Sequence, residues 1–165
     1  MPLMPQSKAS GLYVAFGICV MMSCVPNMQV QDFALIFSSI FVTVIYRLRK
    51  KWAPDSLEYH HAVFIIRTFW MWSMLFLIGL IGAGIMIYQL GDIHMLTDWA
   101  TTATDRIAAG ETNLDASLNT VIDDYFAKNF DLIVRMLIIW LIPAQLYVGF
   151  GIAKGLSRAQ KGYRI

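Results

Sequence analysis

Apolar and polar positions are sorted into blocks along this chain, not into alternating turns. Four runs, Gly11 to Val25, Phe33 to Leu48, Ala62 to Leu90 and Leu132 to Ala153, are almost uninterrupted, and polar residues collect between them. A helix that is apolar on every side belongs in lipid, where a span needs about 20 residues. The pattern predicts an all-α polytopic membrane protein, a single membrane domain over 1–165, with about four transmembrane helices at 9–28, 31–48, 62–90 and 131–153. The first two runs are short for a crossing. They read either as two spans joined at Pro26-Asn27 or as a re-entrant pair. Snorkelling of Arg47 and Arg49 to the headgroups favours two crossings.

Residues 91–130 form the one extended polar region. Leu96, Ala100, Ala103 and Ile107 recur at helical spacing before Gly110, and Thr112 to Asp115 resembles a capping start. Beyond it Leu114, Leu118, Val121, Ile122, Tyr125 and Phe126 fall on one face, opposite Asp115, Asn119, Asp123 and Lys128. An amphipathic helical insert with an acidic exterior is expected, and an apolar face of that extent needs a partner. Gly79 and Gly82, with Gly84, give the third helix a smooth stretch for another helix to approach, and are read as partner-binding. Gly151 and Gly155 make a similar small pair at the end of the fourth.

Composition agrees: 58% of residues are hydrophobic and 15% charged, against about 45–50% and about 25% in soluble domains. The net charge of +2 matters less than its distribution. Basic residues gather at Lys8, at Arg47 to Lys51 and at Lys154 to Arg164, while the carboxylates lie mainly between Asp92 and Asp131. Lys and Arg collect on the cytoplasmic side, so both termini and the middle loop are expected there, with the acidic insert outside. Cys19 and Cys24 both fall in the first run and read as free thiols. No Ala-x-Ala cleavage site follows that run, so a retained first helix is expected.

Candidate chemistry is sparse. His60 and His61 invite a haem or metal reading. His94, however, lies beyond the third helix, roughly 40 Å away at about 1.5 Å per residue. Glu58 and His61 form half of a di-iron pattern that needs two such motifs and two further glutamates; Glu111 is the one other glutamate. The residues imply no metal and no cofactor. Asp55, Glu58, His60 and His61 are read as a polar cap on the third helix. No Gly-x-Ser-x-Gly elbow or phosphate-cradling loop is present, so no catalytic residue and no enzyme activity is expected. The basic strip suits anionic lipid better than nucleic acid. Three polar residues stand inside apolar runs: Arg67, Arg135 and Gln145, the last beside Pro143. Arg67, near Trp70 and Trp72, is expected to snorkel.

Ser56, Glu58 and His60, then Ile66-Arg67-Thr68-Phe69-Trp70, then Lys154-Gly155 with Gly162, carry a resemblance. In these residues the chain resembles small four-helix bacterial inner-membrane proteins of unknown function, distantly related to the chloroplast inner-envelope import channel. The resemblance implies the fold and the location, a bacterial inner (cytoplasmic) membrane, and supplies no activity. The acidic insert stands where such proteins have a short loop. The function expected is an accessory or structural subunit of a larger membrane assembly, with lipid and other membrane subunits as partners. A small channel or transport component, with Arg67, Arg135 and Gln145 along a polar path, is the alternative. A quinone- or haem-associated redox subunit is the third.

Overall fold

A computed structural model describes residues 8–25, 28–111 and 115–165. Among these lie five helices and no strand: α1 (Lys8–Ser23), α2 (Met28–Arg49), α3 (Leu57–Leu90), α4 (His94–Ala108) and α5 (Asp115–Gln160). The protein is all-helical, and three helices are long and apolar enough to cross a membrane: α2, α3 and α5. α1 is apolar but has only 16 residues, about 24 Å at 1.5 Å per residue, against a hydrocarbon core of about 30 Å. About four spans were expected, the first two from short runs; α2, α3 and α5 are long enough to cross and α1 is a shorter apolar helix. The Pro26-Asn27 turn lies outside the described residues. Beside it Gln31 donates to the Val25 carbonyl at 3.1 Å.

Two boundaries differ from expectation. α3 begins at Leu57, ahead of the apolar run, because the Ser56 hydroxyl accepts the Tyr59 N–H at 3.2 Å and caps the first turn. α5 begins at Asp115 and runs unbroken through Phe130-Asp131, where a break between insert and span was expected. Tyr125 to Leu132 contains neither Gly nor Pro, so polarity changes there while the backbone continues. α5 also continues through Pro143, whose missing N–H leaves the Ile139 carbonyl without its helical donor.

The chain divides into two compact units. The first comprises Met1–Phe76 with Pro143–Ile165. Its core joins Ala9, Tyr13, Phe16 and Val20 of α1, Ile65 and Trp72 of α3, and Ala144, Val148 and Ala159 of α5. The α1 residues repeat at helical spacing and form one face. On α5 the buried positions 144, 148, 151, 155 and 159 form a stripe of small residues. Lipid tails are as apolar as these side chains, so close approach and dispersion hold such helices together, not exclusion from water. A Cβ on Gly151 would stand 2.9 Å from Thr68 Cγ2, and one on Gly155 would overlap the Tyr13 ring. α2 joins through Phe41, stacked on Phe16 at 5.9 Å, and through Ile45 against Ala62 and Ile66.

The second unit is Leu77–Ile142. Here α3 and α5 meet at Gly79 and Gly82. A Cβ would lie 2.6 Å from the Trp140 carbonyl oxygen at the first and 2.5 Å from the Trp140 ring at the second. The turn after α3 is held by Asn129, which accepts the Asp92 N–H at 2.9 Å and donates to the Asp92 and Tyr125 carbonyls. Lys128 pairs with the Asp92 carboxylate at 2.7 Å. α4 stops at Gly110, whose φ of +89° is open to glycine at little cost, and Glu111 closes the turn onto the Arg106 carbonyl.

Candidate functional site

The predicted docking face at the start of α5 is only partly free. Leu118, Val121, Ile122 and Tyr125 are half-buried, while Phe126 is 53% exposed. Leu114 and the Thr112–Asp115 capping start involve residues outside those described, apart from the backbone of Asp115. Val121 lines a shallow cavity of about 360 Å³ together with Met95, Trp99 and Ala103 of α4. Tyr125 lines another of about 340 Å³ with Leu96 and Ala100. α4 thus sits beside the apolar face that the sequence assigned to a partner. What remains open is the edge at Phe126, continued one turn later by Phe130, 62% exposed. Phe130 is the last residue of the expected insert, outside the face predicted from spacing.

Gly79 and Gly82, expected to receive a partner, are occupied by this chain's own Trp140. That corrects the assignment: the smooth stretch serves an internal crossing. Gly84, with nothing within 4 Å of a Cβ, stays open. The carboxyl of Asp92, outside the spans, is held below the usual carboxylate range by the Lys128 ammonium and the His94 N–H.

The intramembrane polar residues are dispersed. Arg67 and Arg135 are exposed, with no hydrogen-bond or ion-pair partner among the described residues. Gln145 is half-buried, and its Oε1, like the indole N–H of Trp72, is buried without a partner among them. Among the described residues no three His, Cys, Asp or Glu side chains gather as a metal cluster would require.

A buried polar relay lies where a simple cap was expected. His61 is fully buried: Nδ1 is 2.9 Å from the Tyr13 hydroxyl and Nε2 is 3.0 Å from the Tyr163 carbonyl. Tyr163 is delivered by the close of α5, where Gly162 takes a φ of +71° and the Tyr163 N–H returns to the Arg158 carbonyl. His61 therefore ties α1, α3 and the segment after α5 together. Neither tyrosine was marked in the sequence; the signal available was Gly155, a space large enough for an aromatic ring. Nearby, the Arg49 guanidinium lies 5.6 Å from the Tyr46 ring and 5.9 Å from that of Tyr59, joining α2 to α3.

Fold and sites together define an all-helical polytopic membrane protein with an extended polar segment between its last two apolar stretches. Compared with known proteins, the chain matches no family model, no curated protein and no solved structure.

Proposed function

We propose that this chain is an accessory subunit of a larger assembly in the bacterial inner membrane, acting by binding neighbouring membrane subunits, without catalysis. Both termini lie in the cytoplasm in this reading, and α4 with the start of α5 lies outside. The supporting observation is the exposed pair Phe126 and Phe130, one turn apart among Asp123, Asp124, Lys128 and Asp131. Residues 115–130 of α5, about 24 Å of helix, precede the apolar run Leu132 to Ala153 that supplies the span. The charged stretch bearing the pair therefore projects from lipid, where apolar aromatics call for a protein contact. The basic clusters support the orientation. Kinship with the small four-helix inner-membrane proteins belongs to the same proposal, resting on Ile66 to Trp70 and Lys154-Gly155.

The test is co-purification in mild detergent of the wild type and of Phe126→Asp with Phe130→Asp. The wild type should bring a stoichiometric partner, and the double variant should insert but purify alone. A wild type that is solitary in several mild detergents would sink the reading. Cysteines at Thr104 and Ser157, each introduced with Cys19 and Cys24 replaced by Ser, check the orientation: only the first should react with an impermeant reagent on intact cells.

A further inference from the structure

The geometry points to a binding site for one anionic glycerophospholipid on α2, with its phosphate at Arg47 and an acyl chain along Ile40, Thr43 and Val44. Three observations carry it. Ser39, Ile40, Thr43, Val44 and Arg47 line one shallow groove of about 350 Å³ on the exposed face of α2. The two hydroxyls direct their protons into their own helix: Ser39 Oγ donates to the Leu35 carbonyl at 2.9 Å, and Thr43 Oγ1 donates to the Ser39 carbonyl at 2.8 Å. The groove wall therefore offers methyl groups and no free donor. At its charged end Arg47 is exposed, with no partner among the described residues. An apolar track ending in a free guanidinium matches a phosphodiester attached to acyl chains, since guanidinium pairs well with phosphate oxygens.

The second observation is depth. The indole N–H of Trp70 donates to the Tyr46 hydroxyl at 3.1 Å, beside Arg47. Such amphipathic aromatics sit at the headgroup level, the level a lipid phosphate occupies.

The third is uncompensated charge. Arg47 and Arg49 end α2 and Lys50 and Lys51 follow it, Lys154, Arg158, Lys161 and Arg164 lie at the end of α5 and after it, and Asp55 and Glu58 are the carboxylates in the loop and helix start after α2. Both ion pairs among the described residues, Arg106 with Glu111 and Lys128 with Asp92, lie in the other unit. Arg49 is engaged with two tyrosine rings, which leaves Arg47 as the guanidinium at the groove.

The test uses the full chain in phosphatidylcholine bilayers containing a minor fraction of acyl-brominated phosphatidylglycerol or, in parallel, of brominated phosphatidylcholine. Tryptophan quenching reports contact, read as the part that Trp70→Phe removes, since Trp70 bonds Tyr46, the neighbour of Arg47 in sequence. The wild type should favour phosphatidylglycerol, and Arg47→Gln should lower that preference about fivefold, the equivalent of about 1 kcal/mol for one interfacial cation. Thr43→Phe, which fills the groove and leaves every charge in place, should lower it too. Equal quenching by both lipids in the wild type overturns the site. So does an equal loss from Lys161→Gln, which would assign the preference to diffuse surface potential. A soluble phosphoryl anion is checked with inorganic phosphate in neutral detergent. Stabilisation beyond chloride at matched ionic strength, abolished by Arg47→Gln, would overturn the lipid as occupant.

Discussion

The Tyr13 hydroxyl donates to Nδ1 of His61 across 2.9 Å, and this direction is forced by the opposite edge of the imidazole. There Nε2 faces the Tyr163 carbonyl at 3.0 Å, which has no proton to give. Nε2 must carry the hydrogen, so Nδ1 accepts and Tyr13 donates. One neutral imidazole on α3 thereby satisfies two groups, one from α1 and one from the segment after α5.

Tyr13→Phe keeps the ring in its place beside Gly155 but leaves Nδ1 buried without a donor. A loss of about 1–3 kcal/mol is expected. Unfolding of the purified protein in mixed micelles, titrated with a denaturing detergent, measures it. A stability equal to wild type would mean the hydroxyl contributes nothing net.

Glycines on α5 should divide sharply by position. Gly155→Ala drives a methyl into the Tyr13 ring and should cost roughly 1–3 kcal/mol by overpacking. Gly149→Ala meets nothing within 4 Å and should be neutral, or more stable by up to about 1 kcal/mol. The same denaturation assay compares the two variants, and equal effects would contradict the packing described.

The turn after α3 should respond to acid. The Asp92 carboxyl is held below the ordinary carboxylate range, first by Lys128 and then by the His94 N–H. Its contribution is present above that range and is lost as pH falls through the lowered value. Asp92→Asn should flatten this acid limb, followed by thermal unfolding across the acidic range. Asn129→Ala acts at every pH, since it removes the partner of the Asp92 backbone, and should cost about 1–3 kcal/mol.

Arg67 is exposed and unpartnered among the described residues, ten positions into α3. A flexible ammonium can reach the headgroups as a guanidinium does. Arg67→Lys should therefore accumulate like wild type, while Arg67→Leu should lower the amount found in membranes by quantitative blotting. Equal damage from both would reveal a partner that needs the planar fork.

The apolar runs made the helical class legible, and the glycines marked where a helix is approached closely, because lipid solvation and close approach act on residue types directly. The sequence could not show what fills each gap. Gly79 and Gly82 look the same whether a foreign helix or Trp140 lies against them. The continuity of α5 was hidden because hydropathy changes at Asp131 while helix propensity does not. The His61 relay was invisible for another reason: its partners lie 48 and 102 residues away, and one of them is a backbone carbonyl.

The short α1 has a bearing on the surrounding membrane. Its outward face, Val14, Ile18 and Met21, is open to the surroundings, yet the helix measures about 24 Å against roughly 30 Å of hydrocarbon. A helix of this described length, set across the hydrocarbon, is a wall too low for the lipids beside it, and a bilayer relieves such a mismatch by thinning. The dimple would be one-sided, confined to the edge where α1 lies. A second membrane protein with its own short edge would share that depression at lower cost than two separate ones. The membrane itself would then favour approach from that side before any side chains touch.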